Sequence, residues 1–131
     1  AQHIGKVVLV YSETSRTALV PQATYLITGG LGGIGRVLTE GLIASGATSL
    51  VLTGRRPLTE EGQAFIKSHQ ETVQITYLQA DVGDPSMKGP LQKVLRSQPP
   101  LRGIFHLAGV LDDGLFADQT MARFMAVYRP K

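Results

Sequence analysis

Apolar residues along this chain alternate between two rhythms. Thr24–Thr28 reads as a buried strand, Ser49–Thr53 as a second apolar one, Val73–Gln79 as a third and Ile104–Gly109 as a fourth. Between them the apolar positions recur at helical spacing. Ile34 to Ala44 predicts a helix with Ile34, Leu38, Leu42 and Ile43 on one face, and Gly46 is placed to stop it. Thr59 reads as the N-cap of a second helix, with Glu60 and Glu61 in its first turn and an end near His69. Asp84-Pro85 opens a third, carrying Met87, Leu91, Val94 and Leu95 and stopping before Pro99-Pro100. Phe116 to Tyr128 predicts a fourth, ended by Pro130. Upstream, Lys6–Tyr11 reads as a further strand, and Ser12–Gln22, polar and carrying Pro21, as a connector. Strands separated by helices at this spacing predict an α/β fold, a Rossmann-like doubly wound parallel sheet.

The pattern predicts that this sheet is incomplete. Doubly wound folds have two halves flanking a topological switch point, and about the first four strands with their helices are legible here. The fourth strand is apolar on both faces, which suits a central position, and uncovered it would invite pairing with another chain. Residues 23–131 are therefore expected to form part of a domain, and Ala1–Lys6 to be an excision from a longer protein.

Composition narrows the class. Hydrophobic residues make up 43% and charged residues 18%, the balance of a globular protein and not of a disordered one. No apolar run is long enough to cross a bilayer, and no signal-peptide pattern opens the chain, so no membrane partner is expected. There is no cysteine, which excludes disulfides and thiolate metal sites and suits a cytoplasmic location. The net charge of +3 is spread along the chain, a pattern that favours an anionic ligand over a nucleic acid.

The candidate chemistry begins where the first strand ends. Gly29-Gly30-Leu31-Gly32-Gly33-Ile34-Gly35 holds five glycines in seven residues, directly ahead of a helix. Glycines lacking Cβ let a pyrophosphate approach the backbone, and the amides and dipole of the helix start hold its charge. Gly30, Gly32 and Gly35 fit the general G-x-G-x-x-G, a weak signal alone. Thr28-Gly29 followed by Gly33-Ile34-Gly35 fits the more specific T-G-x(3)-G-x-G. A mononucleotide P-loop is excluded, because Arg36-Val37 stands where its lysine and hydroxyl residue are needed.

The end of the second strand bears on which dinucleotide binds. An acidic residue there would hold a ribose 2′-hydroxyl, whereas this chain offers Thr53-Gly54-Arg55-Arg56. A guanidinium can take a 2′-phosphate in two parallel hydrogen bonds, so NADPH is favoured, with Arg55 ahead of Arg56. Asp81, beside Val82 at the end of the third strand, is placed for the adenine amino group or simply for a turn. Ala108-Gly109, ending the fourth strand, leave room for the ribose and nicotinamide. His106 reads as a satisfied histidine of the strand.

These residues resemble the ketoreductase domains of modular and iterative polyketide synthases, which are similar to short-chain dehydrogenases/reductases. The resemblance runs from Thr24 to Lys131 and rests on TYLITGGLGGIG, LVLTGRR, Asp81-Val82, GIFHLAGVLDDGL and the closing RPK. It implies NADPH-dependent reduction of a β-ketoacyl thioester carried by the phosphopantetheine arm of an acyl carrier protein, with other synthase domains as neighbours. The family's glycines fall on Gly29, Gly33 and Gly35, its 2′-phosphate arginine on Arg55 and its adenine aspartate on Asp81. The whole turn from Thr28 through Gly30, Leu31, Gly32 and Ile34, with Thr53, Arg56 and Val82, is carried over as cofactor-binding. Leu111-Asp112-Asp113 matches the fingerprint of the B-type stereochemical course. Lys131 falls on the family's active-site lysine. Its serine, tyrosine and asparagine have no counterpart here, so the chain alone is expected to be inactive. Two other readings remain: a stand-alone short-chain reductase, and a catalytically silent cofactor-binding module. His3–Leu9 also resembles the closing strand of medium-chain enoylreductase domains, with an ordinary edge strand as the alternative.

Overall fold

A computed structural model describes residues 18–131. The strand read at Lys6–Tyr11 lies outside them. The described residues form a parallel sheet of four strands, β1 (Thr24–Thr28), β2 (Ser49–Gly54), β3 (Gln74–Gln79) and β4 (Leu101–His106), in the order β3-β2-β1-β4. The chain steps outward from β1 to β3, then returns to lay β4 against the other side of β1. That reversal is a topological switch point, and the carboxyl ends of all four strands meet beside it.

Right-handed crossovers put α1 (Gly33–Ala44) and α2 (Glu60–His69) on one face of the sheet and α3 (Lys88–Arg96) on the other. On the first face, Tyr25, Ile27, Leu50 and Leu52 close against Leu42, with Leu38, Ile75, Tyr77 and Phe105 at the margin. Ile27, Leu50 and Leu52 are fully buried, and each contributes about 2 kcal/mol by leaving water. The opposite face is partly polar. There Thr24 Oγ1 donates to the Pro99 carbonyl (2.7 Å), Ser49 Oγ to Gln98 Oε1 (3.1 Å), and Gln98 Nε2 to Thr76 Oγ1 (3.3 Å). These bonds satisfy hydroxyls that the strands bury.

Several expectations from the pattern change in detail. Helix α1 buries Gly35, Thr39 and Leu42, while Ile34 is 75% exposed. Gly35 sets that face: a Cβ there would stand 2.4 Å from the Gly29 carbonyl oxygen, so only glycine lets the helix pack so near. Ile34 then falls about a quarter-turn off the buried stripe. Thr39 is buried on the same stripe, its hydroxyl satisfied by donating to the Gly35 carbonyl (2.8 Å). Gly46 stops the helix as expected, at φ +94°, its amide donating to the Ile43 carbonyl.

The fourth strand starts and ends earlier than Ile104–Gly109. A register irregularity at Thr24/Tyr25 lets it begin at Leu101, and Leu107 and Ala108 turn their amides to Thr28 Oγ1. Ala108-Gly109 therefore lie in the loop. Among the described residues β4 pairs with β1 alone, and Ile104 is 61% exposed. The fourth helix is also shorter. Phe116–Asp118 forms one 3-10 turn, and Thr120 accepts from the Arg123 amide to cap α4 (Met121–Tyr128).

Candidate functional site

A cleft of about 830 Å³ opens across the carboxyl ends of the strands. Its floor is the turn from β1 into α1. Gly29 holds φ +70°, which favours glycine, and a Cβ there would crowd the Leu107–Ala108 backbone at 3.1 Å. The amides of Gly29 and Gly30 both donate to the Thr53 carbonyl (2.8 and 3.2 Å), and that of Gly32 donates to Gly29 (3.0 Å). Those amides are spent inside the protein. Among the described residues, the amides of Leu31, Gly33, Ile34 and Gly35 donate to no protein acceptor, and the N-cap Gly32 offers no side chain. The amides left open to an anion are thus those of Leu31 and the first turn of α1, fewer than the glycine run suggests. Gly33 faces open space: a Cβ there would meet nothing within 4 Å.

Thr28, expected among the cofactor contacts, does not line the cleft. Its buried hydroxyl accepts from the amides of Leu107 and Ala108 (3.1 Å each), leaving its proton for Nδ1 of His106 at 2.8 Å. It thereby ties the ends of β1 and β4 together. Gly30, Gly33, Ile34 and Gly35 likewise stand outside the cleft wall, Gly30 and Gly35 as packing glycines against Leu52 and the turn backbone. Gly29, Leu31, Gly32, Thr53, Arg55, Arg56, Asp81, Val82, Ala108 and Gly109 do line it.

The end of the cleft beside β2 and β3 carries two arginines. Arg55 and Arg56 follow β2, and neither has a carboxylate within ion-pair distance among the described residues. Arg36 also lines the cleft, but Glu61 neutralises it at 2.5 Å, and its guanidinium lies 5.5 Å from the Phe65 ring centre. Sequence reasoning missed this pair, because Arg36 and Glu61 stand on different helices. Thr53 Oγ1 is buried at the cleft wall without a hydrogen-bond partner among the described residues. Asp81 uses Oδ1 in a turn, accepting from the Gly83 amide (2.9 Å) while remaining exposed to the cleft. Both readings of Asp81 are thus compatible with its position.

Beyond Val110 and outside the cleft wall, Asp112 is gripped by Arg123 of α4, with Nε to Oδ2 at 2.9 Å and Nη2 to Oδ1 at 2.5 Å. The guanidinium also donates to the carbonyls of Asp113 and Asp118. A Cβ on Gly114 would stand 2.8 Å from Arg123 Nη2, so a larger residue there would push the fork aside. The Arg123 hydrogen bonds hold the Asp112 carboxyl below its ordinary range. Lys131 is exposed and follows Pro130, which lines the cleft; the lysine side chain is not part of the wall.

The KR domain family profile matches residues 23–131. The chain belongs to the KR domain family. Similar curated proteins are polyketide synthases. The Reducing polyketide synthase DEP5 of Alternaria brassicicola is 37% identical over 119 residues, covering 88% of this chain and 5% of that protein. The chain thus spans about one twentieth of this relative's length. Among solved structures, an N-terminal ketoreductase from the macrolactin assembly line matches with TM-score 0.80 and 27% identity, over 86% of this chain and 24% of that one. A short-chain dehydrogenase from Sphingobium yanoikuyae, in complex with NADPH, matches with TM-score 0.67 and 28% identity, over 82% of this chain and 42% of that one. This KR chain therefore shares the short-chain dehydrogenase fold. No helix among the described residues is long and apolar enough to cross a membrane.

Proposed function

We propose that the cleft binds NADPH and serves the reduction of a β-ketoacyl thioester, borne on an acyl carrier protein, to a β-hydroxyacyl thioester. The observation that carries this reading is the pair Arg55 and Arg56, lining the cleft at the end of β2 without carboxylate partners among the described residues. A dinucleotide fits the residues present. The unpaired amides of Gly33, Ile34 and Gly35 would hold the diphosphate, and bare Gly33 lets it approach. Arg55 would take the 2′-phosphate, with Arg56 beside it, and Asp81 and Val82 would border the adenine. Ala108 and Gly109 leave room for the ribose and nicotinamide. The NADPH complex of the Sphingobium yanoikuyae relative supports this cofactor.

When bound, NADPH supplies the hydride that such a reduction needs. The chain's own residues bind and orient. By family resemblance, Lys131 would contribute positive charge that favours ionisation of an active-site tyrosine. No residue of this chain matches that tyrosine or its serine and asparagine partners, so the chain alone should bind cofactor without turnover. Leu111-Asp112-Asp113 supports a B-type course. Cytoplasmic synthase domains are the expected neighbours. A silent cofactor-binding module is the second reading, favoured by the position of the Lys131 side chain away from the cleft wall.

Fluorescence titration tests the cofactor assignment. The chain should bind NADPH at least tenfold more tightly than NADH, and Arg55→Asp should weaken NADPH about thirtyfold. Equal affinities in the unaltered chain would overturn the arginine assignment. Turnover of a β-ketothioester surrogate by this chain would show that the proton donor lies within it.

A further inference from the structure

The structure assigns to Tyr77, assisted by Gln79, the positioning of the Arg55–Arg56 loop for a ligand's 2′-phosphate. This inference rests on the reading of the cleft as an NADPH site. Tyr77 and Gln79 stand two residues apart on β3 and so share one face, beside the end of β2. Tyr77 Oη donates to the Arg56 carbonyl at 2.6 Å, and Gln79 Nε2 donates to the Arg55 carbonyl at 3.2 Å. Two successive carbonyls of the loop are thereby drawn toward β3. The peptide after Arg56 leads into Pro57, which has no N–H to steady the turn from within.

Three further features indicate that the contact is built in. The Tyr77 ring packs against the main core, so its hydroxyl comes from a fixed base and not from a mobile side chain. Gly54 clears its path: a Cβ there would stand 2.6 Å from Tyr77 Oη. Burial raises the Tyr77 pKa above its ordinary 10.0, with Arg56 opposing, so the phenol remains a donor at neutral pH.

The consequence is selective. A carbonyl oxygen turned into the cleft would oppose a phosphate dianion, and a loose loop would spend binding energy on ordering the guanidinia. Anchoring both carbonyls on β3 avoids both costs. The diphosphate seat at α1 belongs to another loop and does not use Tyr77. NADH, lacking the 2′-phosphate, should therefore be indifferent to this anchor.

The test is a titration of the full chain and its Tyr77→Phe variant with NADPH and NADH at fixed salt, each checked by thermal melting. Tyr77→Phe should raise the NADPH Kd about fivefold, the worth of one hydrogen bond, and leave the NADH Kd within about twofold. Gln79→Ala, at an exposed position, should give a smaller shift of the same kind, and it carries the test should Tyr77→Phe fail to fold. If both Kd values rise together, or neither moves, Tyr77 is merely structural and the assignment falls while the NADPH reading stands. If the unaltered chain does not prefer NADPH, the cofactor reading falls and takes this assignment with it.

Discussion

The two ends of the cleft are built differently. At the arginine end, β1, β2 and β3 are backed by a closed core, and the loops are tied to the strands: the glycine turn to the Thr53 carbonyl, and the arginine loop to the side chains of Tyr77 and Gln79. Toward α4, the loop after β4 rests on one guanidinium, and its apolar residues face outward. Leu111 is 90% exposed, Phe116 95% and Met121 73%. The first end is pre-shaped by burial and the second is held by electrostatics. The proposed cofactor would then meet a pre-shaped surface at the first end.

The largest effect should come from opening the core. Leu52→Ala, at a fully buried position of β2, should cost about 3 kcal/mol in chemical denaturation. Phe116→Ser, on the α4 side, should cost within about 0.5 kcal/mol. Similar losses at the two sites would erase the contrast between the ends.

Next come the glycines of the turn, which separate packing from binding. Gly35→Ala places a Cβ 2.4 Å from the Gly29 carbonyl oxygen and should cost about 2 kcal/mol of stability. Gly33→Ala meets nothing within 4 Å and should leave stability within about 0.5 kcal/mol. It should nevertheless weaken NADPH binding, since the added methyl faces the proposed diphosphate seat. Normal binding by Gly33→Ala would argue against that seat.

The smallest effect is expected at the latch. Arg123 depresses the Asp112 pKa below 3.8 in the folded protein, so the pair contributes above that value and is lost as pH falls through the lowered one. Proteolysis between Val110 and Asp118 should therefore speed up only in acid well below pH 4. In Asp112→Asn it should be fast at neutral pH. An unchanged cleavage rate in Asp112→Asn would show that something other than this ion pair holds the loop.

Strands β1 and β2 were legible because burial on both faces leaves an unbroken apolar run, and Thr59, Gly46 and Asp84 signal helix ends through side-chain or backbone chemistry that acts locally. What the pattern hid was packing by residues that are not apolar. Gly35 and Thr39 form the buried stripe of α1, so Ile34 was assigned to the wrong face. The exposed Phe116 suggested a helix that begins only after Thr120. At the site, sequence located the arginines but not what holds them. The signal was present in the i, i+2 spacing of Tyr77 and Gln79, yet its meaning depends on β3 lying beside β2, which only the topology supplies.

Amide NMR during cofactor titration tests the central claim most directly. NADPH should move the Gly33, Ile34 and Gly35 amides most among those of the turn, more than the internally bonded Gly29, Gly30 and Gly32, and should also shift Arg55 Nε. NADH should move the first-turn amides but not Arg55 Nε. First-turn amides that stay still at saturating NADPH would contradict the account.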